Sequence, residues 1–266
     1  MIRFLLRKFF YDLWDNLFKI VLLNLGFLCV VVLALTILSR PVFYPPLAAA
    51  ALAVLVFFAF VYVCAAARSL KELSDYRSFG AGDFFRAFGP ACRPGLVLGG
   101  LFLAVFFLFR FAVPFYLDLG GLAGAVFAGV CFWTALSFAA AFQFLPPVFF
   151  RLEKRPLKAV KKCLMIFFDN IPFSFFSLFF IAVLSIPVIF FPAVPLLYLD
   201  QALRLRLLKY DWLEARTSGE TGGGEKTSEP VSGGKNRPKI PWKEILAEEM
   251  ETTGKRSWRD FVFPWR

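Results

Sequence analysis

The sequence predicts an all-α polytopic transmembrane helix bundle of about six spans, with five as the alternative. Interfacial amphipathic helices and a flexible cytoplasmic C-terminal tail accompany the spans. Three observations predict this class. The stretch from Gly95 to Phe150 holds only two charged side chains, Arg110 and Asp118. A bilayer span needs about 20 apolar residues, so this stretch holds two spans with a tight turn near Leu117–Gly121. Of the 266 residues, 59% are hydrophobic and 37 are Phe, against about 45–50% apolar in soluble domains. Finally, Lys and Arg gather between alternate spans, as the positive-inside bias requires.

The first element, Met1 to Trp14, reads as an amphipathic helix. Ile2, Leu5, Leu6, Phe9, Phe10 and Leu13 share one face, with Arg3, Arg7, Lys8 and Asp12 off it. Such a helix can lie in the headgroup plane with its basic face toward anionic lipid. The same pattern fits a signal-peptide n-region, but no A-x-A-type cleavage site follows. Ile20–Leu38 is the first span and Pro46–Ala67 the second, joined by a link that carries Arg40 and Pro41. Arg68 to Pro94 reads as a polar loop containing a short interfacial helix that ends at Gly89-Pro90. Gly95–Phe115 and Gly121–Phe150 are spans three and four, with Pro146-Pro147 disrupting the end of the latter.

Pro156 opens a second amphipathic stripe through Leu157, Val160, Leu164, Phe167 and Phe168. A fifth span follows from about Ile171 to Ser185, a turn around Pro187–Pro195, and a sixth span to about Leu208. Both legs are short, which implies tilt or local thinning of the bilayer. The basic segments decide the count. They are the N-terminus to Lys19, Arg68–Pro94, Arg151–Lys162, and Arg204, Arg206 and Lys209. All fall on one side only if the number of spans is even, and both termini are then cytoplasmic.

Three domains result: a transmembrane helical domain (1–216), a disordered linker (217–240) and a C-terminal part (241–266). The linker is rich in Gly, Ser, Thr, Glu and Lys and cannot bury a core. Pro241–Glu251 reads as one exposed helix. Beyond it, Trp258, Phe261, Phe263 and Trp265 alternate with Arg256, Arg259 and Arg266. This end can dock on a partner protein, sit at the membrane interface, or be a frayed terminus with no role of its own.

Few residues carry chemistry. Arg110 lies inside an apolar span, where a charge is costly and faces a partner or a cavity. Asp118 and Asp200 are the available acidic partners. Arg110 either snorkels or forms a structural pair, or it serves a substrate or ion; the first reading carries more weight. Asp15-Asn16 and Asp169-Asn170 precede spans one and five, and their residue types favour helix capping over ligand binding. Trp14-Asp15-Asn16-Leu17 and Phe168-Asp169-Asn170-Ile171 also hint at a threefold repeat of interfacial helix, hinge and two-span hairpin. Gln143 reads as an interhelical hydrogen bond. Gly95-xxx-Gly99 and Gly120-xxx-Gly124 have the spacing of close helix packing. The chain has no His, no HExxH and no Walker lysine, so neither a catalytic residue, a metal nor a cofactor is expected. The five cysteines form no CxxC pair and read as small hydrophobes. The basic segments lie dispersed at span ends, which argues for anionic lipid and against nucleic acid as the partner.

From Trp14 to Glu214 the pattern resembles the YesL-like family of bacterial membrane proteins. The residues that carry the resemblance are Asp15-Asn16-Leu17, Asn24-Leu25, Gly82–Phe85, Asp169-Asn170 and the run from Arg204 through Tyr210, Asp211 and Trp212 to Glu214. Leu35–Pro41 departs from the Pro-, Thr- and Gly-containing motif of better-known relatives. The resemblance implies a multi-pass protein of the bacterial cytoplasmic membrane, of a kind often encoded beside carbohydrate uptake systems, and supplies no catalytic residue. The expectation is a non-enzymatic accessory or scaffold protein; the alternative is a transporter or channel subunit.

Overall fold

The structure, a computed structural model, describes residues 2–39, 45–187, 192–221 and 241–253. Among them, four helical segments are long and apolar enough to cross a membrane: Leu17–Ile37, Ala50–Ser74, Ala81–Asp118 and Gly121–Arg151. A fifth is reached if the bent pair Pro156–Asp169 and Ile171–Ser185 counts as one span. The chain is therefore an all-α, multi-pass membrane protein with four to five candidate spans among the described residues, against the six, or alternatively five, expected. Contacts divide it into two units, Phe9–Leu203 and the two chain ends, Met1–Lys8 with Arg204–Arg266.

Helix α1 (Ile2–Asp15), whose residues to Lys8 belong to the smaller unit, gives way to α2 (Leu17–Leu38) of the larger unit at Asn16. Later, α8 (Pro156–Asp169) gives way to α9 (Ile171–Ser185) at Asn170, and those two helices meet at 106°. The two Asp-Asn hinges work alike. Each Asn leaves helical geometry, with φ −120° at Asn16 and −148° at Asn170. Each Asn carbonyl then accepts the first bond of the next helix, from Ile20 N at 3.1 Å and from Ser174 N at 3.0 Å. Capping by the side chains, however, is not what they do. Asn16 Nδ2 donates back to the Asp12 carbonyl at 3.2 Å, and Asn170 Nδ2 donates to Asp169 Oδ2 at 2.5 Å. Neither side chain makes a cap bond.

The third copy of the expected repeat is absent. Helix α3 (Pro45–Ser74) continues well past Ala67, and α4 (Ala81–Phe107) runs unbroken through Pro90 and Pro94. The polar loop shrinks to the few residues between them. A proline inside a helix costs about 3 kcal/mol, and packing outweighs it here. Ala87 and Ala91 bury against Val61, Cys64 and Ala65 of α3. A Cβ on Gly95 would lie 2.7 Å from the Val61 Cα, and one on Gly99 would lie 2.9 Å from the Phe57 ring. The Gly95-xxx-Gly99 spacing thus brings α4 against α3 as expected.

Beyond α4 the chain makes one π-helical turn (Leu108–Ala112) and a short helix α5 (Val113–Asp118). Gly120 and Gly121, with φ of +67° and +66°, turn it into α6 (Gly121–Phe142). The missing Cβ of Gly124 lets α6 approach the Tyr116 carbonyl. Helix α7 (Leu145–Arg151) follows a break at Gln143-Phe144, and Pro146 and Pro147 lie inside its first turn rather than disrupting it. On α8 the buried face is Ala159, Cys163, Ile166 and Phe167, whereas Leu157 and Phe168 of the expected stripe stay exposed. One apolar edge of α8 thus packs on protein and another is left for lipid.

The shortfall in spans lies after Asn170. Helix α9 has 15 residues, about 22 Å at 1.5 Å per residue, against a hydrocarbon core of about 30 Å. Helix α10 (Ala193–Thr221) soon acquires Asp200, Arg204, Arg206 and Lys209. Its residues from Ala193 to Leu203 are buried in protein, so it opens as a core helix. It continues to Thr221, past the point where the linker was expected to begin.

Candidate functional site

The strongest concentration of buried charge forms where α3, α7 and α10 meet. Arg151, the last residue of α7, forks onto Asp200 of α10. Its Nε donates to Oδ1 at 2.7 Å and a terminal nitrogen donates to Oδ2 at 2.6 Å. The same nitrogen donates to Asp75 Oδ1 at 2.9 Å, just past the end of α3. The Arg151 side chain is 10% exposed, Asp200 2% and Asp75 29%. One turn before Asp75, Lys71 Nζ donates to the Phe150 carbonyl at 3.2 Å, a cation at the C-terminal end of α7 where the helix dipole favours it.

More polar groups line α10 and its neighbours. Gln201 Nε2 donates to Asp12 Oδ2 at 2.6 Å, and the Tyr198 hydroxyl lies 3.4 Å from Ser177 Oγ. The Ala193 amide at the start of α10 donates to Asn24 Oδ1 at 2.9 Å. Gln143 Nε2 bridges the Ala140 and Ser174 carbonyls at 2.8 Å each, the interhelical bond expected of it. The Tyr62 hydroxyl donates to the Leu23 carbonyl at 2.7 Å, tying α3 to α2.

The chemistry open to this cluster is limited. Both oxygens of Asp200 are committed to one guanidinium, so neither is poised to take a proton from a substrate. A bidentate pair of this kind fixes orientation. Among the described residues, no group of three or more His, Cys, Asp or Glu is placed to hold a metal ion.

The intramembrane charges singled out in the sequence are not brought together. Asp200 belongs to Arg151, and Arg110 has no ion pair among the described residues. Arg110 lies exposed in the π-helical turn, with its guanidinium 5.9 Å from the Phe111 ring. Asp118 is exposed at the end of α5. Cys64 and Cys163 are buried as expected, but Cys29 and Cys92 are exposed. In the sequence, Arg151 reads only as one of the orienting charges of Arg151–Lys162. The signal that marks it is its position directly after an apolar run, together with a lone Asp200 in Leu-Leu-Tyr-Leu surroundings that demands a cation.

In the smaller unit, Pro241–Glu251 is not one exposed helix. It forms two short turns, α11 (Trp242–Ile245) and α12 (Ala247–Thr253), with Leu246 and Glu249 buried. Glu249 is clasped by Lys8 at 3.7 Å and by Arg204. Lys8, expected on the lipid-facing polar side of α1, is therefore buried beside a carboxylate. Trp258, Phe261, Phe263 and Trp265 lie outside the described residues. No protein-family model, curated protein or solved structure matches the chain.

Proposed function

We propose that this chain is a non-enzymatic accessory or scaffold protein of the bacterial cytoplasmic membrane, akin to the YesL-like proteins that its sequence resembles. The observation that carries the reading is the Glu249 clasp. Lys8 and Arg204 anchor α12 after a Gly-rich linker, and the aromatic and basic segment follows directly in the sequence. A segment of Trp, Phe and Arg has the composition of protein interface anchors. The buried charges support the same reading, because the fork between Arg151 and Asp200 holds helices together and Arg110 lies on an exposed surface away from Asp200.

Four crossing helices with an α9–α10 re-entrant hairpin keep an even count, and so keep every basic segment and both termini in the cytoplasm. Phe180 and Ser177 of α9 both meet Tyr198 of α10, as the two legs of such a hairpin would. The test is cross-linking in native membranes followed by identification of captured proteins. Deleting Gly254–Arg266 should abolish recovery of the partner, and Glu249→Lys should reduce it by releasing α12. Unchanged recovery in the deletion would refute the docking role.

A further inference from the structure

Helices α2, α3 and α4 enclose an apolar groove of about 420 Å³, separate from the Arg151–Asp200 cluster. Leu22, Gly26 and Val30 form its α2 wall at successive turns. The opposite wall is aromatic: Tyr62 packs on Phe84 and Phe88, and Phe58 stacks on Phe88 at 6.0 Å. Gly26 faces the Tyr62 hydroxyl with no room for a Cβ, and this narrow pass leaves the groove long and thin. From Lys19 to Val30 it runs about 16 Å at 1.5 Å per residue.

The mouth is different. Lys19 stands there, its ammonium 5.6 Å from the Phe79 ring, and no carboxylate pairs with it among the described residues. The nearby Asp83 carboxylate is engaged elsewhere: it accepts from the Gly80 amide at 3.0 Å and lies 3.9 Å from Arg86. Lys19 sits in the first turn of a helix long and apolar enough to cross a membrane, where a headgroup phosphate would come within its reach. A narrow apolar slot with one unpaired cation at its interfacial end complements an acyl chain that carries an anionic head.

We propose that this groove is a binding site for one acyl chain of an anionic phospholipid of the surrounding bilayer, with its phosphate held by Lys19. A lysine at the interface favours an anionic lipid by on the order of fivefold, and each methylene that enters the slot adds to retention.

The test uses the full-length protein, delipidated in detergent, with dioleoyl phosphatidylglycerol or dioleoyl phosphatidylcholine added and the bound lipid counted by native mass spectrometry. One phosphatidylglycerol should be retained about fivefold more strongly than phosphatidylcholine. Lys19→Gln should bring the two lipids level, and Lys19→Arg should keep the preference. Val30→Trp, which fills the deep end, should lower retention of both. Photoreactive phosphatidylglycerol should label peptides that contain Leu22 or Phe84. Equal retention of the two lipids by the native chain, an unaltered preference in Lys19→Gln, or displacement of the phospholipid by equimolar oleate would each overturn the proposal.

Discussion

Asp200 and Arg110 are both charges set in apolar sequence, and their surroundings predict opposite responses to substitution. Removing the charge of Asp200 leaves a buried guanidinium with only the part-exposed Asp75. Losing one partner of a buried pair costs about 3–5 kcal/mol, so Asp200→Asn should unfold at much lower denaturant in mixed micelles. Asp75→Asn should cost about 1 kcal/mol or less, since solvent screens a part-exposed partner. Replacing both members, Arg151→Met with Asp200→Leu, should recover most of the loss, because no charge is then left buried alone. Arg110 is exposed and sits about 12 Å from the Asp118 end of its helix at 1.5 Å per residue, within snorkelling reach of the interface. Arg110→Gln should therefore shift stability by no more than about 0.5 kcal/mol, and the same titration compares all four variants.

At the scale of the element, the apolar pattern was legible and the tertiary overrides were not. The apolar run from Ile171 to Ser185 is helix α9 over those residues, though it is long enough for a crossing only when joined to α8. The hinges at Asn16 and Asn170 were also legible, because Asp-Asn interrupts an amphipathic run in each case. Their mechanism was not, since nothing local decides whether an Asn side chain caps forward or bonds back. Gly89-Pro90 was misleading: the stop signal is real, but the small face of α4 is held by α3 across it. Two glycines on this helix should respond differently to a side chain. Gly95→Val would press a side chain into the Val61 backbone, whereas Gly100 has open space around it. Gly95→Val should destabilise by about 1–3 kcal/mol, the range for overpacking, and Gly100→Val should be close to neutral. Thermal unfolding of the two variants in the same detergent separates them.

For the whole molecule, the cationic segments share one compartment with any even number of crossings. Six spans were inferred so that all cationic segments could share one compartment, and four satisfy the same condition. What the sequence could not reveal is that the apolar opening of α10 is apolar because it is buried in protein; hydropathy alone does not separate a core helix from a lipid-facing one. If α9 and the start of α10 form a re-entrant hairpin, Lys158 before it and Asp211 after it lie on the same side. If α9 instead crosses completely and α10 does not return, the two lie on opposite sides. Single cysteines at Lys158→Cys, Asp211→Cys and Asp118→Cys, in a chain whose own five cysteines are replaced by Ala, distinguish these arrangements. All three positions are exposed. In sealed inside-out vesicles, a membrane-impermeant maleimide should label the first two and spare the third. Asp211→Cys protected together with Asp118→Cys would mean five crossings and would move the C-terminal segment out of the cytoplasm.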